Sequence, residues 1–189
     1  MWSADKYNHA IRFAGQWHIG QTIPGTDIAY IVHLAQVCQR AILGAWIDSK
    51  LNINLVMQCA LLHDVIEDTE CTYDIVQAEF GTDIADGVLA LSKQTSIDGT
   101  PLSKREQMLD SLDRIQRQPK EIWVVKLADR ITNLQEPPAH WYKKEGKIAG
   151  YLEEANIIFE RLSPANDFLA KVLYDKMRLY KRFVPKDSP

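Results

Sequence analysis

The string Ala60-Leu-Leu-His-Asp-Val-Ile-Glu-Asp-Thr69 gathers four titratable side chains, His63, Asp64, Glu67 and Asp68, at the end of an apolar stretch. In a helix, His63 and Glu67 stand at i, i+4, as do Asp64 and Asp68, so each pair shares a face. Carboxylates at a helix C-terminus oppose the macrodipole. Burying them beside an imidazole is costly unless something pairs with them, and a metal ion does so directly. A second cluster runs from Val124 to Leu134. There Lys126, Asp129, Arg130 and Asn133 fall on one helical stripe, opposite Val124, Leu127, Ile131 and Leu134. The apolar flank Ile122–Val125 argues that this helix is buried on most sides, so its polar stripe needs a ligand or a metal. His33 sits inside the apolar run 28–38. A lone histidine there reads first as a core residue, and becomes a ligand candidate beside the other two clusters. His33, His63, Asp64 and Asp129 together offer two imidazoles and two carboxylates. That set suits Mn²⁺, Fe²⁺, Zn²⁺ or Mg²⁺ with open coordination positions. No cysteine pair is present to build a structural zinc site.

Helical periodicity dominates the elements that must position these groups. The spacing predicts helices over 3–17 (Ser3 as N-cap), 28–43, 52–66, 72–80 (Thr72 as cap, Gly81 as stop) and a further helix opening at Thr82 or Asp83. Helices over 103–117, 119–135, 144–162 and 164–182 follow, the last with Ser163 as cap and Pro164 at N1. Residues 94–101 read as a loop. No alternating strand pattern or internal repeat appears. The expected architecture is an all-α, single-domain bundle of about 8–10 helices spanning residues 1–189.

Composition agrees. A chain of 189 residues with 46% hydrophobic and 25% charged residues is long enough for one domain with a sizeable core. Disorder, collagen-like repeats and disulfide scaffolds do not fit that composition. A net charge of −3 argues against a general nucleic-acid binder, which would be basic. Cys38, Cys59 and Cys71 lack CxxC spacing and read as buried free thiols of a reducing compartment. The N-terminus carries no secretory apolar segment, and the apolar runs are too short to span a membrane.

The order H…HD…D resembles the metal signature of HD-superfamily phosphohydrolases. The longer strings resemble the RelA/SpoT hydrolase domain: His18-Ile-Gly-Gln21, Ala29-Tyr-Ile-Val-His33, residues 60–69, Thr72 with Phe80-Gly81 and Ile84-Ala85, and Val125 to Asn133. The resemblance spans roughly residues 5–160 and points to a free-standing small alarmone hydrolase, with no room for a synthetase domain. It implies a cytoplasmic, Mn²⁺-dependent enzyme (another divalent ion could serve) that removes the 3′-pyrophosphate of (p)ppGpp or (p)ppApp. His33, His63, Asp64 and Asp129 would hold the metal. Glu67 would be the principal acid/base group with Asp68 as its partner, and Lys126 would support the site electrostatically. Tyr30, Asn133, Lys147 and Tyr151 would meet the nucleotide. The partner is a small-molecule nucleotide, with no nucleic acid and no membrane; a homodimer is allowed. The alternative is another HD phosphohydrolase acting on a nucleotide phosphate, either an NADPH phosphatase or a nucleoside-monophosphate phosphatase.

The chain departs from the family pattern in its recognition residues. Thr22, Ile23 and Pro24 replace the basic residues that follow HxGQ; Ala29 and Leu34 replace prolines; Thr132 and Gln135 flank Asn133 in place of the usual residues. These changes imply a shift of preference toward adenosine alarmones or another 3′- or 2′-phosphorylated nucleotide. They also leave a polyphosphate substrate short of cations at the place where the family supplies them.

Overall fold

The computed structural model describes residues 1–185, so residues 186–189 of the single unit read from the sequence lie outside the described residues. Ten α-helical segments account for nearly all regular structure among the described residues: α1 Ala4–Trp17, α2 Ile31–Ile47, α3 Ile53–Leu62, α4 Val65–Asp68, α5 Tyr73–Phe80, α6 Thr82–Leu91, α7 Lys104–Gln116, α8 Lys120–Asn133, α9 Lys147–Leu162 and α10 Asp167–Tyr180. Short 3₁₀ turns cover Ala139–Lys143, Ser163–Ala165 and Lys181–Phe183. The all-α expectation holds, with one exception. Residues Ser96–Ile97 (β1) and Thr100–Pro101 (β2) pair as an antiparallel hairpin where a loop is expected. Asp98 and Gly99 both have positive φ, 48° and 77°, which is the backbone of a two-residue turn of the primed type.

The local chemistry explains most helix ends. The Ser3 hydroxyl accepts from Lys6 N, and the Thr72 hydroxyl accepts from Ile75 N. Ser103 and Glu106 form a reciprocal capping box at the start of α7. Several boundaries differ from the sequence reading; α9, for one, begins at Lys147 rather than at 144. Helix α2 begins at Ile31 because Thr22 and Ala29 are bridged and Tyr30 N donates to Gln21 O, which keeps residues 28–29 extended. It runs past Gly44 because that glycine serves close packing: a β-carbon there would lie 2.7 Å from Leu169 Cδ1. The last α-helix begins at Asp167, capped by Asn166, whose side chain accepts from Leu169 N; Ser163-Pro164-Ala165 forms a separate 3₁₀ turn. Ser163 is therefore not the cap, because asparagine supplies the acceptor three residues later.

The buried apolar side chains form one cluster centred on α2, α3 and α8. Every residue from Val56 to Leu62 is buried, and so is every residue from Val124 to Thr132. Polar groups on α3 and α8 must therefore find partners inside the fold. The three cysteines are free and buried, as expected. Burial pushes the thiol of Cys38 up to about 12 and that of Cys71 up to about 11, so they stay protonated and inert. Among the described residues, no helix is long and apolar enough to cross a membrane.

Candidate metal centre and adjoining cavity

Helices α2, α3 and α8 bring His33, His63, Asp64 and Asp129 to one point. The helix expected over 52–66 is interrupted there. Asp64, at φ −104° and ψ −1°, sits in the bridge region between α3 and α4. The interruption turns the Asp64 carboxylate back toward the imidazoles while Asp68 N still donates to Asp64 O. Ligand atoms of His33, His63 and Asp64 all lie within 4.8 Å of one another. His63 Nε2 is 3.0 Å from Asp64 Oδ2 and 3.8 Å from Asp129 Oδ1. His33 Nε2 is 3.8 Å and 3.6 Å from the same two oxygens.

The wiring around these atoms fixes their chemistry. His63 Nδ1 lies 2.8 Å from Ala60 O, so this nitrogen donates and Nε2 faces the carboxylates. His63 Nε2 is buried and makes no hydrogen bond of its own. Burial opposes charge on His63, but Asp64, Asp129 and the Ala60 carbonyl outweigh it and raise its pKa to about 9. Burial lowers that of His33, only partly countered by Asp129. Burial also pushes against ionisation of Asp64, yet His63 and the Tyr30 hydroxyl hold it well below the usual carboxylate range. Lys126 and His63 do the same for Asp129. Two anionic oxygens facing an unpartnered imidazole nitrogen form a mixed nitrogen and oxygen donor set, which fits a divalent metal ion.

Asp129 is braced on both sides: Lys126 Nζ donates to Oδ2 at 3.0 Å and Asn133 Nδ2 to Oδ1 at 2.5 Å. Tyr30 OH donates to Asp64 Oδ2 at 2.5 Å, and its ring stacks beside both His18 and His33. Tyr30 thus orients a metal-facing carboxylate and does not line the neighbouring cavity. Replacing Tyr30 with Phe should weaken divalent-metal affinity about tenfold, the usual effect of removing a partner of a ligand. Calorimetric Mn²⁺ titration of the two proteins would read this; equal affinities would show that Asp64 needs no such brace. The His18-Ile-Gly-Gln21 motif has a related role. His18 Nδ1 is 2.6 Å from Gln21 Oε1, and Gln21 Nε2 donates to Asp68 Oδ2. Burial and the Asp64 charge raise the pKa of Asp68, with Gln21 pulling the other way.

Beside the metal cluster opens a cavity of about 450 Å³. Asn133, Lys147 and Tyr151 line it, together with Glu67. Its charged wall was read only in part from the sequence, which did not single out Lys93 or Lys104. Lys93, Lys104 and Arg130 join Lys126 and Lys147 there, against only Glu67 and Glu154. Arg130 stacks 4.3 Å over the Tyr151 ring and pairs with Glu154, while Lys147 lies over Trp141. These five cations come from α7, α8, α9 and the residues just after α6. An HD domain family model matches residues 10–167. The chain belongs to the HD domain family. It is 31% identical over 123 residues to guanosine-3′,5′-bis(diphosphate) 3′-pyrophosphohydrolase MESH1 of Mus musculus, a match covering 63% of this chain and 65% of that protein. It is 33% identical over 122 residues to bifunctional (p)ppGpp synthase/hydrolase SpoT of Escherichia coli K12, covering 62% of this chain and 16% of that one. The chain spans 60–65% of the length of the first curated relatives it matches. A solved structure of a metazoan ortholog of SpoT, described as hydrolysing ppGpp, superposes with a TM-score of 0.78 at 22% identity, over 97% of this chain and 99% of that one. That likeness establishes a shared fold for this HD domain. The resemblance expected from residues 60–69 and 125–133 is met.

Proposed function

We propose that this chain is a metal-dependent pyrophosphohydrolase that removes the 3′-diphosphate of a nucleotide alarmone, (p)ppGpp or (p)ppApp, and releases pyrophosphate. The observation that carries the reading is the junction between the His33, His63 and Asp64 cluster (Asp129 lying 3.6 and 3.8 Å from the two imidazoles) and a cavity walled by five cations. The names of the curated relatives support it. The ion is Mn²⁺ in this reading, the compartment is cytoplasmic, and the substrate is a small nucleotide.

His33, His63, Asp64 and Asp129 would hold the ion, with Tyr30, Lys126 and Asn133 keeping two of those carboxylates in place. When bound, a divalent ion supplies Lewis acidity, lowering the pKa of water and polarising a phosphoryl oxygen. The bond that forms joins a water oxygen to the phosphorus next to the ribose 3′-oxygen. The bond that breaks is P–O3′. Glu67, on the turn after the two ligands, takes the water's proton. Asp68, whose carboxyl is biased toward its protonated form, is the partner that returns a proton to the departing 3′-oxygen. Lys126, Lys147 and Arg130 offset charge on the diphosphate. Tyr151, with Trp141 edge-on at 5.0 Å, forms an aromatic wall against which a nucleoside can lie.

The altered loop after Gln21 favours adenosine over guanosine alarmones in this reading. Thr22–Ala29 folds as a small bridged loop with no Lys or Arg to meet a guanine edge. Steady-state kinetics on ppGpp, ppApp and NADPH with the Mn²⁺-loaded protein are expected to give the highest kcat/KM for ppApp. A large ppGpp preference would overturn the base assignment, and phosphate release from NADPH alone would overturn the alarmone reading.

A further inference from the structure

Lys93 makes a contact that the proposed chemistry does not call for. Its backbone N donates to Glu67 Oε2 at 2.8 Å, and its side-chain Nζ donates to Glu67 Oε1 at 2.9 Å. One residue therefore engages both oxygens of the carboxylate assigned to move the proton. The two halves of this grip differ in freedom. The backbone half is held from α7: Arg114 donates to the carbonyls of Leu89, Ala90 and Ser92, and Ser111 Oγ donates to Ala90 O. That clamp fixes the end of α6 and the peptide that follows it. The ammonium half rides on a flexible four-carbon stem whose side chain is 43% exposed.

The surroundings give the ammonium a second place to go. Lys93 and Glu67 both line the 450 Å³ cavity. Of the other deep cations, Lys126 is held by Asp129, while Arg130 stacks on Tyr151 and reaches Glu154 only through Nη2, its Nε and Nη1 being buried without a hydrogen-bond partner. Lys93 is bound to the one carboxylate that the reaction requires to be free. We propose that Lys93 is an exchangeable counter-ion of this site, latching Glu67 when the cavity is empty and transferring to the diphosphate when an anionic ligand enters. The cavity anion would be a diphosphate, and its arrival would release Glu67 on the oxygen that Nζ held while the backbone N–H keeps the carboxylate in position. Only ligands carrying an anion within reach of Lys93 would then be turned over efficiently.

This inference rests on the proposed function for its catalytic consequence, but its binding part can be read without turnover. Inorganic pyrophosphate is titrated calorimetrically into the Mn²⁺-loaded wild type and the Lys93→Met, Lys93→Arg and Lys93→Gln proteins, with thermal melts to confirm folding. Lys93→Met and Lys93→Gln are expected to bind pyrophosphate about tenfold or more weakly, the scale of one lost charge-assisted hydrogen bond. Lys93→Arg should restore most of the affinity. With substrate, KM should rise by a similar factor in Lys93→Met. A purely structural tether of Glu67 would instead lower kcat and leave pyrophosphate affinity and KM unchanged, which overturns the proposal. Equal pyrophosphate affinity in all four proteins, or none in the wild type, overturns it as well. Intact pyrophosphate binding without hydrolysis of any alarmone would instead sink the proposed function and leave the Lys93 assignment standing.

Discussion

Replacing Asp64 with Ala is expected to abolish Mn²⁺-dependent turnover, a loss of at least about a thousandfold, because it removes the Lewis acid on which water activation depends. Asp64 Oδ2 is the oxygen nearest His63 Nε2, at 3.0 Å, and also lies 3.8 Å from His33 Nε2. Without it the remaining donors are two imidazoles and Asp129, whose oxygens already serve Lys126 and Asn133. The expected signature is loss of calorimetric Mn²⁺ binding with an unchanged circular dichroism spectrum. The wild type adds an internal check. His63 has a pKa near 9 in the metal-free protein and must give up its proton to bind a metal. Affinity should therefore weaken as pH falls below about 9, with proton release on binding. Full activity in Asp64→Ala would remove this residue from the metal site.

The second large effect is expected at Glu67. Glu67→Gln keeps the shape and, through its one remaining oxygen, one of the two contacts to Lys93, but it cannot take a proton, so kcat should fall roughly 10²- to 10⁴-fold. Mn²⁺ affinity should stay within about twofold of wild type, since both Glu67 oxygens are engaged by Lys93 and neither pairs with His33 or His63. That separation of metal binding from turnover distinguishes Glu67 from Asp64. A Glu67→Gln protein that retains turnover would move the acid/base role to Asp68.

The candidate ligands His63 and Asp129 were legible in the sequence because they end or sit within strongly apolar helical runs, where a buried polar residue calls for a partner; His33, alone in its apolar run, reads as a core residue until it is set beside them. The short break between α3 and α4 was not legible, because apolar periodicity runs through residues 55–66 without interruption. The cations of the cavity were hidden for a different reason. Lys93 and Lys104 are ordinary surface-type residues in sequence, and only tertiary packing of the end of α6 and of α7 turns them toward the space that Arg130 of the α8 polar stripe faces. Tyr30 was read as a nucleotide contact, and its bond to Asp64 could not be seen because a position just before a helix gives no side-chain direction. The hairpin at 96–101 carried a usable signal, the Asp98-Gly99 pair, but two-residue strands leave no alternation to read.

The proposed reaction is release of a diphosphate from a nucleotide 3′ position by the His/Asp cluster and the cationic cavity together. Product analysis tests it most directly. The Mn²⁺-loaded chain is incubated with ppGpp and with ppApp, and both products are separated and identified. Stoichiometric pyrophosphate and the matching nucleoside 5′-diphosphate are the predicted result, with no reaction after chelation of the metal. Release of orthophosphate alone, or hydrolysis that persists after chelation, would contradict it.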